Sequence, residues 1–117
     1  MLQVVATRLE ARGRHVRFQA MLTEYLDAMK IDRARTVLDI GCGTGVAARA
    51  IARRNGFTGT VVGIDLSAGL VQVAERLSMA EGVSERLQFI VGDTRRLHIP
   101  DETFRCRGRH TIVSRVD

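Results

Sequence analysis

Three aspartates are the residues best suited to hold a ligand: Asp39, Asp65 and Asp93, each at the end of a short apolar run. Val37-Leu38 precedes the first, Thr60 to Ile64 the second, and Leu87 to Val91 with Gly92 the third. If these runs are parallel strands, the carboxylates gather at the carboxyl rim of a sheet, where α/β folds bind ligands. Asp39 leads into a glycine turn, with Gly41, Gly43 and Gly45 separated by Cys42 and Thr44. Glycines this dense imply a backbone that bends sharply and lets a ligand come close. A carboxylate in the strand below such a turn repels a pyrophosphate and can help hold a cation. Asp65, twenty residues after Gly45, stands where an acid can accept both hydroxyls of a ribose. Its plainer role is to cap the next helix together with Ser67. Cys42 reads as a small residue that fits the turn rather than as a reactive thiol.

The turn matches neither of two common phosphate-binding loops. A dinucleotide loop reads G-x-G-x-x-G, but here the third glycine comes one residue early and Val46 follows it. A P-loop needs Lys and then Ser or Thr after its last glycine, and these are absent. Around the turn, Thr36 to Ile40 reads as a buried strand and Val46 to Arg54 as a helix stopped by Asn55-Gly56. Thr60 to Asp65 is the second strand. Ser67 to Glu81 is the second helix, with Leu70, Val73, Ala74, Leu77 and Ala80 on its inner face. Leu87 to Val91 is the third strand. Before all of these, Met1 to Arg14 reads as a frayed or partial helix. His15 to Lys30 is a firmer helix, packed on the domain through Phe18, Met21, Leu22, Tyr25, Leu26 and Met29. Pro100 to Thr103 reads as a turn, and a fourth strand is due from Phe104.

Residues 37–45, V-L-D-I-G-C-G-T-G, resemble the first motif of the class I S-adenosylmethionine-dependent methyltransferases. Gly92-Asp93-Thr94 resembles the segment whose acid contacts the adenine amino group. The resemblance covers about residues 15–117, the cofactor half of the class. It implies an α/β fold, a Rossmann-like three-layer sandwich with a partial sheet of about four parallel strands in the order 3-2-1-4. It implies S-adenosylmethionine as cofactor, held by Asp39, Gly41, Cys42, Gly43, Gly45, Asp65, Leu66, Gly92, Asp93 and Thr94. That cofactor carries an ammonium and a sulfonium and no phosphate, which suits Asp39. The implied chemistry is in-line attack of a nucleophilic O, N, S or C on the methyl carbon, with S-adenosylhomocysteine leaving. The protein then mainly positions the two reactants, and no catalytic residue is assigned. Helices before the first strand often cap the pocket in this class, which makes Tyr25 and His15 candidates to approach a ligand. His110 lies near the substrate-facing residues of the class, although a polar residue at a strand end is its plainer role. The expected division is an N-terminal helical segment, 1–30, and a truncated cofactor-binding domain, 31–117.

With 117 residues the chain makes one domain, and no apolar run approaches a membrane span. Cys42 and Cys106 form neither a metal-ligand spacing nor a disulfide framework. A cytoplasmic protein without metal or membrane partner is expected. The net charge of +5 would suit nucleic acid, but the cations are scattered arginines with Lys30 the only lysine, and aromatic residues are few. A small-molecule methyl acceptor is therefore expected, and nucleic acid is not. Phe104 to Arg109, F-R-C-R-G-R, sets three arginines where a central strand needs Val or Ile. A paired one-nucleotide insertion and deletion in codons for F-D-V-V-V-A-H-T would yield residues 104–111 without changing the length, which resequencing the gene tests. The class has a seven-stranded sheet. Three sound strands and one damaged one point to a truncated, marginally stable form, open to self-association through its incomplete sheet edge. Two alternatives remain: an inactive cofactor-binding or nucleic-acid-binding remnant, and a nicotinamide-dependent oxidoreductase. The latter shares Asp65 but explains neither Asp39, Val46 nor Gly92-Asp93.

Overall fold

The computed structural model describes residues 1–95, 103–105 and 112–116. Among the described residues, four α-helices and five strands run in the order α1 (Leu2–Arg14), α2 (Val16–Ala28), β1 (Thr36–Ile40), α3 (Val46–Ala52), β2 (Thr60–Asp65), α4 (Ala68–Ala80), β3 (Leu87–Val91), β4 (Thr103–Arg105) and β5 (Ile112–Val116). The strands form one sheet in the order β3-β2-β1-β5-β4. β1, β2 and β3 are parallel, with Val37 opposite Val61 and Val61 opposite Leu87. This register aligns the carboxyl ends, so Ile40 pairs with Ile64 and Asp65 with Val91.

The core lies between the sheet and the helices. Leu22 and Leu26 of α2 and Ala47, Ala48 and Ile51 of α3 pack with Val37, Val61 and Val113. Alanines at two of the three α3 positions let that short helix approach the strands closely. Ser67 accepts a hydrogen bond from the Leu70 amide and so starts α4. α1 is a complete helix rather than a frayed one, because its inner face has partners: Ala6 and Gly13 are buried. A side chain at Gly13 would stand 2.6 Å from Val46, so the glycine lets α1 lie against the start of α3.

The layered Rossmann-like class and the order 3-2-1, followed by a further strand beyond β1, are as expected. The all-parallel arrangement is not. β5 lies beside β1 and runs antiparallel to it, with Asp39 opposite Val113 and Val37 opposite Arg115. β4, which contains Phe104, is antiparallel to β5 and stands one place further out. The chemistry of the two segments explains the exchange. The arginine-bearing stretch is unsuited to the sheet interior, whereas I-V-S-R-V supplies Val113, which is buried in the core. Arg115 reaches the carbonyls of Met29 and Lys30 at 3.0 and 3.2 Å, binding the carbonyl end of α2 to the sheet. A link of only six residues between β4 and β5 also favours an antiparallel pair over a parallel crossover. The expected turn over Pro100 to Thr103 falls largely outside the described residues, as does most of the arginine block.

Candidate cofactor site

The glycine turn is held against the end of β2 by backbone hydrogen bonds. Gly41 and Cys42 both donate to the Ile64 carbonyl, at 2.7 and 3.0 Å, and Gly45 donates back to Cys42 at 2.8 Å. Gly41, Gly43 and Gly45 all have positive φ, of 73°, 55° and 83°. A side chain at any of them would be strained, which accounts for the spacing. Gly45 is additionally closed in, since a Cβ there would lie 3.1 Å from the Phe89 ring.

Asp65 organises the rim. Its Oδ2 accepts from the Gly43 amide and its Oδ1 from the Ser67 amide, both at 2.9 Å. Its carbonyl accepts from Gly92 at 2.9 Å, which ties the end of β3 to the same point. One residue thus connects the turn after β1, the start of α4 and the loop after β3. The helix-start role and the rim role expected of it are compatible: each carboxylate oxygen accepts one amide and retains a second lone pair.

Asp39 is completely buried beneath the turn. One oxygen accepts from the Ala48 amide at 3.2 Å, and the other has no hydrogen-bond partner. Burial, aided by the nearby Asp65 carboxylate, pushes its carboxyl up to about 7. Burial also raises the Cys42 thiol far above its ordinary range, so the thiol is un-ionised and packs as a small residue in the turn. Asp93 is more open. Arg95 binds its carboxylate through Nε at 2.9 Å and through its own amide at 3.0 Å, which holds the carboxyl at about 2.

The structure brings Asp39, Gly41 to Gly45, Asp65 and Gly92 together. Leu66 projects from the same rim with 66% of its surface exposed. Thr94 follows Asp93 and is half-buried. His15 is occupied locally, its Nδ1 accepting from the Arg17 amide at the start of α2. Tyr25 is partly exposed on α2, and His110 lies outside the described residues. Sequence reasoning missed Glu10, Thr44 and Arg49. The Thr44 hydroxyl donates to Glu10, and Arg49, itself buried, binds Glu10 at 2.6 Å and also Glu81. The available signal was Arg49 itself, a charge on the inner face of α3 that burial obliges to find acids. Among the described residues no group of His, Cys, Asp or Glu could hold a metal ion. No helix among them is long and apolar enough to cross a membrane.

Residues 37–107 match the family model described as "Methyltransferase domain". The chain belongs to that methyltransferase family. Sterol 24-C-methyltransferase ERG6A of Gibberella zeae is 34% identical over 96 residues, which are 81% of this chain and 23% of that protein. The methyltransferase chain thus spans about a quarter of that relative's length. A solved S-adenosylmethionine-dependent methyltransferase from Geobacter sulfurreducens, in complex with S-adenosylhomocysteine, superposes with a TM-score of 0.56 at 31% identity. The match covers 68% of this chain and 31% of that one. The [4+2]-cyclase SpnF superposes at 0.60 with 30% identity over 76% of this chain and 33% of its own. The family model, the sterol methyltransferase and the Geobacter structure favour the methyltransferase over the nicotinamide alternative, and the cofactor that goes with the family is S-adenosylmethionine. The residues present fit it. The turn offers backbone at three positive-φ glycines, the acids beside and below it suit a cationic, hydroxyl-bearing ligand, and one buried Asp39 oxygen is unpartnered.

Proposed function

We propose that this methyltransferase chain binds S-adenosylmethionine at the rim formed by β1, β2 and β3 and serves a methyl transfer to a small-molecule acceptor. The observation that carries the reading is the position of Asp65, which fixes the glycine turn through Gly43 while presenting its remaining lone pairs at the rim. In this reading Asp65 accepts the ribose hydroxyls, Asp93 the adenine amino group, and Gly41 to Gly45 lie along the methionine part. Leu66, Gly92 and Thr94 line the adenosine. Asp39 acts from below by holding the start of α3 through the Ala48 amide. The cofactor supplies a methyl group on a good leaving group, so the chain's contribution is binding and orientation. The sterol-methylating relative supports a small, lipophilic or otherwise non-polymeric acceptor, and neither nucleic acid nor a membrane-spanning role is part of the reading.

A cytoplasmic location and the division into a helical segment, 1–30, and a cofactor domain, 31–117, belong to the same proposal. So does self-association through the sheet edge. Calorimetric titration with S-adenosylmethionine, with NADH as control, tests it. Saturable binding of the former alone, lost in Asp65→Ala while the chain stays folded, is expected. Tighter binding of NADH would overturn it.

A further inference from the structure

We propose that Glu10 is a positioning residue for the cofactor turn, and that α1 and the cofactor therefore stabilise one another. The inference rests on the turn being the cofactor site. Thr44 sits in the middle of the turn, between Gly43 and Gly45, and is only 1% exposed. Its hydroxyl donates to Oε2 of Glu10, 34 residues earlier in the chain. The same carboxylate takes Nη2 of Arg49 on both oxygens, at 2.7 and 2.6 Å. Arg49 in turn binds Glu81 beyond the end of α4, and Glu81 also binds Arg53. One carboxylate on α1 therefore connects the turn to α3 and, through Arg49, to α4.

The surrounding contacts are apolar or backbone in kind. Leu9 lies 3.1 Å from where a Gly43 side chain would begin, and Gly13 lets α1 lie against Val46. Much of the rest of α1 faces outward, with Val4 and Val5 exposed. α1 is seated through Leu2 against Gly69 of α4, through buried Ala6, and near the turn through Leu9, Glu10 and Gly13, and Glu10 supplies a polar contact with the turn at Thr44. The Ile64 carbonyl and the Asp65 carboxylate hold the turn from the β2 side, and its glycines still leave it a range of shapes beyond those contacts. Fixing Thr44 selects one of them in advance, so the cofactor meets a turn already ordered. Coupling between two binding events is reciprocal. If a seated α1 improves cofactor affinity, bound cofactor must hold α1 down by the same factor.

Two readouts test this on the whole chain: cofactor affinity by calorimetry, and amide hydrogen exchange over residues 2–14 with and without S-adenosylmethionine. Thr44→Val, which exchanges the hydroxyl for a methyl group of similar size, is expected to weaken cofactor binding about tenfold, the effect of one hydrogen bond to a charged group. Thr44→Ser is expected to keep wild-type affinity. In the wild type, cofactor should slow exchange of residues 2–14, and in Glu10→Ala this ligand-dependent slowing should be lost. If Glu10→Ala does not fold, the two Thr44 variants decide the matter alone. Wild-type affinity in Thr44→Val, or exchange in α1 indifferent to bound cofactor, overturns the proposal and leaves the methyltransferase reading in place. No binding by the wild type overturns both.

Discussion

The Asp65 carboxylate accepts a hydrogen bond from the Gly43 amide, 22 residues away in sequence, at 2.9 Å. This bond joins the ends of two parallel strands and gives the glycine turn its seat. Asp65→Ala removes it together with the bond to Ser67. A loss of about 2 kcal/mol in urea unfolding is expected, since hydrogen bonds to a charged group are each worth about 1.5 kcal/mol or more and Asp65 is only half-buried. Asp65→Asn retains one acceptor and should lose roughly half as much. An unchanged midpoint in Asp65→Ala would mean that the turn holds its shape without the carboxylate.

Asp39 gives the chain a pH dependence of definite sign. Its carboxyl is raised from 3.8 to about 7 by burial, so the folded state binds a proton more tightly than the unfolded state does. The stability that this proton contributes is fully present below about pH 4 and is lost as pH rises to about 7. The change is on the order of 4 kcal/mol, since each tenfold difference in proton affinity between the two states is worth about 1.4 kcal/mol. Urea unfolding between pH 4 and pH 8 should show this decline superposed on the other titrations. Asp39→Asn, which is neutral and keeps an acceptor for Ala48, should abolish the decline and be the more stable protein at pH 8. A variant that tracks the wild type across this range would contradict the assignment.

Arg49 holds two acids, Glu10 on α1 and Glu81 just beyond α4, while almost fully buried. Arg49→Met keeps its bulk but strands Glu10 without its cation. Removing one partner of a buried pair costs about 3 kcal/mol, much of it the penalty of the charge left behind. The double variant Arg49→Met with Glu10→Gln should regain part of that loss. Thermal unfolding of the single and double variants provides the check, and strictly additive losses would show that the two side chains do not interact.

Asp93 owes its low pKa to Arg95, whose guanidinium and amide both bind the carboxylate. Arg95→Gln is expected to return the carboxyl towards the ordinary carboxylate range, read by carbon-detected NMR titration. Both groups are exposed, so global stability should hardly change. The adenine amino group would compete with Arg95 for this acid, so the same variant should bind S-adenosylmethionine at least as tightly as the wild type.

Much of this arrangement was legible from residue types. Asp39, Asp65 and Gly92-Asp93 could be placed because each ends a run of strand formers and parallel strands align their carboxyl ends. The glycines could be placed because positive φ excludes other residues. Strand direction beyond β1 was not legible. The arginines at 105 to 109 made that stretch a poor central strand, but nothing local said that Ile112 to Val116 would run antiparallel in its place. Hydrophobic alternation fixes which face a strand shows, not which way it runs. The Glu10–Thr44–Arg49 connection was hidden for a different reason. Its members lie 34 and 39 residues apart, and long-range polar pairing leaves no periodic trace. His15 shows a local role that residue type alone did not reveal: its imidazole accepts from the Arg17 amide at the start of α2.

The most direct test is a ¹H–¹⁵N correlation spectrum of the chain titrated with S-adenosylmethionine. Saturable shifts of the Gly41, Gly43, Gly45, Ser67 and Gly92 amides are expected, absent in folded Asp65→Ala and not reproduced by NADH. A folded chain whose rim amides do not move, or move equally with NADH, would contradict the assignment of the rim as the cofactor site.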